Sequence, residues 1–451
     1  MEIVNKNILI VGLARTGIAT ARFLKNKGAF VIVTDIAKEE NLPNAKEAKD
    51  LGINMELGVH KIETFLKADL IILSPGVSHT IFEIQRAREK GTLIVGELEL
   101  ASWFIKEPIV AITGTNGKTT TTELTYKMLM ESGFKVFVGG NIGNPLIGYI
   151  EKEEKREVVV AEVSSFQLDT IQTFKPKVSA ILNITEDHMD RYKNFEEYIE
   201  SKGTIFKNQD SNDFAVLNYD DLYVRGLVDK IKSRKLFFSS SFEFKNGATI
   251  DANSSTITFY IDGIKKELFT KEDFNLFGKH NLENIAAAVL SAFCAGASFQ
   301  GVRNALKNFK GLPHRIEYVD TICGVKYFDD SKGTNIDAVF RALEVFTDPV
   351  ILIMGGRDKG GSFHLLQDRV KERVKNLILI GESKKDIRKG LGHVVPTEDA
   401  DNMEDAVLKA SKKAKAGDIV LLSPACASFD MYKNYAERGK DFCRAVSLLK
   451  Q

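Results

Sequence analysis

A chain of 451 residues is too long for one hydrophobic core, and a soft prior of about 150 residues per domain gives roughly three. Hydrophobic residues make up 44% and charged residues 27%, as in an ordinary globular protein. With 62 basic against 61 acidic residues the net charge is +1, which excludes bulk attraction to nucleic acid or an anionic membrane and leaves any anionic ligand to local features. Cys294, Cys323, Cys426 and Cys443 form no CxxC pair, which fits a reducing cytosol and argues against a zinc site or a disulfide framework. The start, MEIVNKNILIVG, runs straight into a strand, unlike a signal peptide, and no apolar run approaches about 18 residues. A cytoplasmic monomer with no membrane span and no nucleic-acid partner is expected.

The N-terminal part alternates strands, at 8–11, 31–34, 70–73 and 92–95, with helical patterns such as 16–27, a Rossmann-like series. Its first turn is GLARTG, Gly12 to Gly17, with Arg15 and Thr16 in it and Ala14 where a dinucleotide fingerprint has its middle glycine. The acidic residue about twenty positions on is Asp35. The turn is a weak signal for NAD and a plausible site for another nucleotide or its diphosphate; the alternative reading is a tight turn without a ligand. A helix over 98–106 is expected to hinge into the second domain.

That domain opens with Pro108, the apolar run 109–112 and the stretch GTNGKTT, Gly114-Thr115-Asn116-Gly117-Lys118-Thr119-Thr120. A helical pattern follows, with Leu124, Met128 and Leu129 on one face and Gly133 as its stop. Strand, glycine turn and helix in this order make a phosphate cradle, because backbone N–H groups and the positive helix end face one point. Lys118 would reach the terminal phosphates and the Thr119 hydroxyl would hold Mg²⁺. The loop is a shortened variant, with Ile112 where the usual pattern has glycine. Strands follow at 135–138, 158–163 and 178–183, then a helix over about 195–206 that carries Lys202. Residues 236–277, rich in Phe, Ser and Thr, read as a small antiparallel insertion with hairpin turns at Asn246-Gly247 and Asp262-Gly263. An alanine-rich helix runs from 280 to about 295. Gly311-Leu312-Pro313 marks a boundary, after which strands at 325–329, 350–354, 377–380 and 419–422 lead into the loops DDSKGTN, GGRDKGG, GES and SPACAS. Open α/β sheets bind ligands at such carboxyl ends.

Several residues stand out as chemistry. Glu162 interrupts an apolar strand, so its carboxylate needs a cation or a hydrogen-bond donor; it is readable as a structural ion pair with a lysine or arginine or as a metal ligand, and its position at a strand end beside the phosphate loop favours Mg²⁺. His188, among Glu186, Asp187 and Asp190, is readable as a loop histidine or as a metal ligand at the same sheet edge. Asn281 and Asn284 share a helix face and could meet an adenine or ribose, or cap the helix. Arg315, after His314, suits phosphate. The run Asp329 to Asn335 gathers carboxylates, a lysine and hydroxyls, or simply caps a helix.

Taken together and in order, GTNGKTT, GGNIGNP, EVSSFQLD, LNITEDHMDRY, the Lys202 helix, GKHNLENIAAA, GLPHRIE, FDDSKGTN and SPACASFDMYKNYAERG resemble the Mur ligases over nearly the whole chain, the Phe-rich section least. Within the family the set is most similar to the member that adds D-glutamate: the DNPR-type signature of the diamino-acid-adding ligase is absent, the alanine-adding ligase has a glycine-richer first turn, and folate-chain ligases lack SPACAS. The resemblance implies an α/β protein of three domains: a Rossmann-like UDP-binding domain (1–97), a central P-loop ATPase-like domain with a small antiparallel insertion (98–311), and a Rossmann-like amino-acid-binding domain (312–451). It implies an ATP-dependent amide ligase acting on UDP-N-acetylmuramoyl-L-alanine and D-glutamate in peptidoglycan precursor synthesis.

The family's roles then fall on residues of this chain. Gly114 to Thr120, with Asn281, Asn284, Arg315 and Asp330, match ATP contacts. Thr119, Glu162 and His188 match the ligands of two Mg²⁺ ions. Lys202 matches the lysine that the family carbamylates with CO₂, which turns an ammonium into an anionic oxygen ligand; apart from the resemblance it would read as a surface helix lysine. Arg15, Thr16, Asp35, Ser74 and Gln167 match the UDP-substrate side, and Asn141 a nucleotide contact grouped with them. Ile36 offers uracil no hydroxyl. Lys332, Thr334, Lys359, Ser428 and Tyr435 match the amino-acid end. Catalysis would rest on Lys118, His188 and Lys202, with domain closure on hinges near Glu97 and Leu312. Competing readings are another Mur-type or a folylpolyglutamate-type ligase, an NAD-dependent oxidoreductase using the first domain, and a non-catalytic nucleotide switch.

Overall fold

Apolar runs flanked by small-residue loops form three separate sheets in a computed structural model that describes residues 3–151, 156–189, 191–274, 276 and 278–450. The first sheet holds β1 (Asn7–Val11), β2 (Phe30–Asp35), β3 (Asn54–Leu57), β4 (Leu70–Leu73) and β5 (Leu93–Gly96) in the order β3-β2-β1-β4-β5. All its pairs are parallel. The second holds β6 (Ile109–Thr113), β7 (Val136–Gly140), β8 (Val158–Glu162), β9 (Val178–Ile181), β10 (Phe214–Asn218), β11 (Arg234–Ser239), β12 (Gly247–Asp251), β13 (Thr256–Ile261) and β14 (Ile264–Phe269), ordered β14-β13-β12-β11-β10-β9-β6-β8-β7. The third holds β15 (Glu317–Ile322), β16 (Val325–Asp329), β17 (Val350–Gly355), β18 (Val374–Ile380), β19 (Thr397–Asp399) and β20 (Ile419–Leu422), ordered β15-β16-β20-β17-β18-β19. Strands such as β6, β8 and β17 are buried along their whole length, as parallel strands covered on both faces must be.

These sheets fall into two compact units. Residues 1–184, 196–273 and 283–308 contain the first two sheets, and residues 185–195, 274–282 and 309–451 contain the third. Among the described residues no helix is long and apolar enough to cross a membrane.

Two expectations are corrected. Asn246-Gly247 is no hairpin turn, because β12 runs parallel to β11. Gly247 opens β12 at φ +153, where a Cβ would lie 2.0 Å from the Phe237 carbonyl oxygen. Asp262 (φ 52) and Gly263 (φ 76) do form the tight turn between antiparallel β13 and β14, both residues left-handed as a type I′ turn requires. The Phe-rich section thus widens the edge of the central sheet; Phe277, its expected limit, lies outside the described residues. The expected helix over 98–106 is Glu97–Ser102, and it is no open linker.

Two carboxylates bury themselves in that helix. Glu99 accepts from the N–H groups of Gln172 (2.9 Å), Thr173 (2.8 Å) and Phe174 (2.9 Å), from the Thr173 hydroxyl and from Trp103 Nε1 (2.8 Å). Burial pushes its pKa up, and these donors outweigh burial, so the net shift is downward. Glu97, 2% exposed, accepts from the Ile147 N–H at 2.6 Å. Here burial wins over the N–H groups of Ile147 and Leu146 and lifts the pKa from 4.5 to about 7.

A pH dependence follows. Below 4.5 both folded and unfolded chains hold the Glu97 proton; between 4.5 and about 7 only the folded chain does, so stability falls as pH rises through that window and levels off above it. Glu97→Gln keeps an acceptor oxygen but cannot ionise. Relative to a pH well below 4.5, it is expected to gain on the order of 3 kcal/mol over wild type at pH 8 in denaturant unfolding. Parallel pH profiles for the two proteins would show that Glu97 does not titrate in this range.

Candidate active site

The carboxyl end of β6 turns into the helix Lys118–Glu131 through Gly114 (φ +149) and Gly117 (φ +85). A Cβ on Gly117 would sit 2.1 Å from Asn284 Oδ1, so only glycine admits both the left-handed turn and that side chain. Asn183, at the end of the strand next to β6, clamps the loop. Its Oδ1 accepts from Asn116 N–H (2.8 Å), its Nδ2 donates to the Asn116 carbonyl (3.1 Å), and its own carbonyl accepts from Thr115 N–H (2.9 Å). Thr115, Thr119 and Thr120 are buried. Asn284 Oδ1 accepts from the Thr121 hydroxyl at 3.4 Å.

Two lysines meet on this loop. Lys118 Nζ donates to the carbonyls of Gly114 (2.9 Å) and Thr115 (2.7 Å). Lys202, 1% exposed, donates to the same Gly114 carbonyl at 3.0 Å and lies 4.6 Å from the Tyr198 ring centroid. Sharing one acceptor puts the two ammonium groups within about 6 Å of each other, where like charges repel. An anion between them would relieve that.

Glu162 ends β8, in register with Ile112 of β6 and Gly140 of β7. It is 2% exposed; Oε1 accepts from Asn141 Nδ2 at 2.9 Å, while Oε2 is buried without a hydrogen-bond partner. A buried carboxylate oxygen left open at a strand end fits a hard divalent cation.

In the same unit, Arg15, Thr16, Asp35, Ser74, Asn141 and Gln167 all line one cleft of ≈ 900 Å³, together with Ile36, Val59 and His60. Asp35 is also structural: its oxygens accept from Leu13 N–H (2.8 Å) and Ala37 N–H (2.9 Å). Arg15 donates to Asn144 Oδ1 at 2.9 Å. Gln167 closes a capping box with Ser164. Ala14 caps the helix Arg15–Asn26 in extended backbone, and the close approach falls on Gly17, whose Cβ would lie 2.0 Å from the Gly12 carbonyl oxygen.

The second unit holds the remaining candidates. A cavity of ≈ 300 Å³ at the ends of its strands is lined by Thr334 and Lys359 with Asp187, Asn335, Phe340 and Ser362. Lys359 Nζ lies 3.5 Å from Asp187 Oδ1, and Asn335 Nδ2 donates to Asp187 Oδ2 at 3.2 Å. Lys332, Ser428 and Tyr435 lie off its wall: Lys332 Nζ sits 5.2 Å from the Tyr435 ring centroid, and Ser428 is buried. His188 has φ 59 and its Nε2 is 3.7 Å from Asp187 Oδ2; Asp190 lies outside the described residues. Burial, then Arg341 and Arg315, pull the His280 pKa down to about 3, so that imidazole is neutral beside two arginines. Burial lifts Asp330 to about 7 against a 2.7 Å hydrogen bond from Ser423 and the charge of Arg315. Asn281 stands in the first turn of the helix Lys279–Cys294.

Asn335, at the end of the run readable as a helix cap, does cap the helix Ile336–Val345, its Oδ1 accepting from Ala338 N–H at 2.8 Å. Sequence reasoning missed Asn183, Tyr198 and the contacts of Asp187 with Lys359 and Asn335. Tyr198 was within reach of it, four residues before Lys202 on one helix and so on the same face. Asn183 carries no local signal beyond its place at a strand end.

Known proteins match along the whole chain. Residues 6–96 match the Mur ligase MurD-like N-terminal domain, 112–292 the Mur ligase middle domain, and 314–426 the Mur ligase glutamate ligase domain. A UDP-N-acetylmuramoylalanine--D-glutamate ligase of Desulfatibacillum aliphaticivorans is 51% identical over 450 residues, covering 100% of both chains. Its namesake in Desulfosudis oleivorans is 48% identical over 452 residues, covering 100% of this chain and 98% of the other. Among solved structures, a pseudomurein peptide ligase type C from Methanothermus fervidus has a TM-score of 0.61 at 20% identity, covering 98% of this chain and 100% of that one. The MurF ligase of Thermotoga maritima in complex with ADP has a TM-score of 0.61 at 18% identity, covering 99% and 96%. At such identities the solved structures speak for the fold, a three-domain α/β architecture, while the sequence matches speak for kinship: the chain belongs to the Mur ligase family.

Proposed function

We propose that this protein is an ATP-dependent ligase that joins D-glutamate to the carboxylate of UDP-N-acetylmuramoyl-L-alanine, with domains at 1–97, 98–311 and 312–451. The observation that carries it is the phosphate loop, where Gly114 and Gly117 in left-handed backbone lead into the helix Lys118–Glu131 and Lys118 Nζ lies on the carbonyls of Gly114 and Thr115, a cradle for a polyphosphate. The names of the full-length relatives supply the substrates. Such a reaction consumes ATP and a nucleotide-linked precursor, which fits the cytoplasm.

A carboxylate does not react with an amine near neutral pH, because oxide is too poor a leaving group. Phosphorylation solves this. The L-alanyl carboxylate attacks the γ-phosphate, ADP leaves, the neutral amine of D-glutamate adds to the acyl phosphate, and phosphate departs from the tetrahedral intermediate. Lys118 would hold the transferring phosphoryl group, and the N–H groups at the start of the helix Lys118–Glu131 would orient it. Thr119, Glu162 and His188 would hold Mg²⁺, which when bound spreads the charge that develops on the phosphate oxygens. A carbamate on Lys202 would give that buried side chain an oxygen ligand in place of an ammonium. The first-unit cleft would take the UDP-substrate through Arg15, Thr16, Asp35, Ser74, Asn141 and Gln167. The second-unit cavity would take the amino acid, with Lys359 and Thr334 as its polar contacts. Asn281, Asn284, Arg315 and Asp330 are the further ATP candidates, and Lys332, Ser428 and Tyr435 would support the amino-acid end.

Three experiments test this reading. Purified protein with ATP, Mg²⁺, UDP-N-acetylmuramoyl-L-alanine and D-glutamate should release ADP and phosphate continuously only when all are present; turnover indifferent to either co-substrate sinks the proposal. Lys118→Ala should lower kcat by about 10²–10³-fold while calorimetry finds the UDP-substrate affinity within about twofold of wild type; loss of both properties would break the separation of the two sites. Equilibrated with ¹³C-bicarbonate, the wild type should show a carbamate carbon resonance that Lys202→Ala lacks, and identical spectra would remove the carbamate from the mechanism.

A further inference from the structure

One charged side chain underlies the loops that shape the second-unit cavity. Arg438, in the helix Tyr435–Leu448, is 1% exposed. Its Nε donates to Ser331 Oγ at 3.0 Å and its Nη2 to the Ser331 carbonyl at 2.8 Å. Its Nη1 faces the carbonyls of Cys426 at 3.1 Å and Gly355 at 3.4 Å. These acceptors belong to three different loops: Ser331 follows β16, Gly355 ends β17 and Cys426 follows β20. Among the described residues no carboxylate lies within ion-pair distance of the guanidinium. Burial lowers its pKa to about 10, against the pull of Cys426, Asp430, Tyr432 and Asp329, so it remains charged at neutral pH.

Burying a cation on neutral oxygens alone is costly, and several kcal/mol is a typical penalty. Stability alone is a poor reason to keep it, since an apolar side chain of similar volume often serves a core better. The arginine supplies geometry. A rigid planar fork with five N–H donors can hold three loops at one spacing; a lysine ammonium, a point with three donors, cannot span them. The loops are also tied by backbone pairs, Arg357 with Ala427 (2.8 and 2.9 Å) and Ala425 N–H to the Gly333 carbonyl (3.0 Å). Gly356 (φ +137) leaves room for this arrangement: its Cβ would lie 2.2 Å from the Ala427 carbonyl oxygen and 3.1 Å from Arg438 Nη1. The same loops present Thr334, Asn335, Lys359 and Ala425 to the cavity.

We propose that Arg438 is a positioning residue for the amino-acid substrate, locking the loops after β16, β17 and β20 at the spacing that lets Thr334 and Lys359 grip one dicarboxylate. This rests on the reading that D-glutamate is held in that cavity. The test compares wild type with Arg438→Met, Arg438→Lys and Ser331→Ala, measuring KM for D-glutamate and for UDP-N-acetylmuramoyl-L-alanine separately. Both Arg438 variants are expected to raise the D-glutamate KM by about tenfold or more, and Ser331→Ala by about threefold, with the UDP-substrate KM within about twofold of wild type throughout. Should Arg438→Met fail to fold, the charge-preserving lysine variant and Ser331→Ala carry the comparison. A kcat loss with both KM values unchanged, or KM values that rise together, overturns the positioning role, as does full activity in Arg438→Lys. Wild-type protein that ligates no D-glutamate overturns the functional reading itself, and this proposal with it, and is recognised before any variant is made.

Discussion

Two ammonium groups share the carbonyl oxygen of Gly114, and much of the first unit exists to make that possible. The oxygen points where it does because Gly114 and Gly117 take left-handed backbone that a side chain would forbid. Asn183 then holds the loop from three sides, so the carbonyl cannot turn away from the lysines. Lys202 reaches it only because its helix is packed tightly enough to leave the ammonium 1% exposed on the face of Tyr198. Glu162, on β8, the strand paired directly with β6, keeps an open oxygen at the same end of the sheet. A carboxylate oxygen buried without a hydrogen-bond partner is costly, and a divalent cation at that strand end would relieve it.

A second pattern recurs in both units. Each buries a charge on backbone groups in place of a counter-charge. Glu99 is an anion surrounded by N–H donors, and Arg438 is a cation surrounded by carbonyl oxygens. Main-chain partners are part of loops, so such a charge orders the chain around it more than a side-chain ion pair would. Glu99 does this at 172–174, beside the connection between the first two sheets, and Arg438 does it at strand ends. Chain segments that carry no regular hydrogen bonds of their own are thereby given one conformation.

The phosphate loop was legible because its signal is local: an apolar strand, glycines at the turn and a lysine-threonine pair at the helix start all lie within twelve residues of one another. The parallel strands of the third sheet were legible for the same reason, as short apolar runs ending in small polar loops. What escaped needed tertiary information. Lys202, reached only through the resemblance, sits in FEEYIESKG, and Arg438, not singled out at all, in YAERGKD; both runs are charged, yet each of the two side chains is almost wholly buried. Asn246-Gly247 carries the strongest hairpin dipeptide, but pairing of β12 with β11 in parallel overrode it. Strand β15, EYVDTI, alternates too weakly to announce itself, since as an edge strand it buries little. Local chemistry marks where a ligand is held; which charges lie beneath it depends on packing that a single sequence does not spell out.

The first-unit cleft shows how recognition and folding can draw on one residue. Asp35 reads from sequence as a ligand contact, and in the structure its two oxygens each accept a backbone N–H, one from the turn at Leu13 and one from Ala37. A carboxylate has about four acceptor directions, so two remain for hydroxyl groups of a ligand, which must donate to it. It cannot pair with an acceptor on a base. The next residue, Ile36, is 74% exposed, and Val59 across the same cleft is 55% exposed. Neither has a hydrogen bond to give. Apolar side chains of this kind can meet the face of a base but cannot hydrogen-bond its edge. In the function proposed above, the side chain that would meet the ligand also holds the backbone at Leu13 and Ala37, so the two roles could not be varied independently.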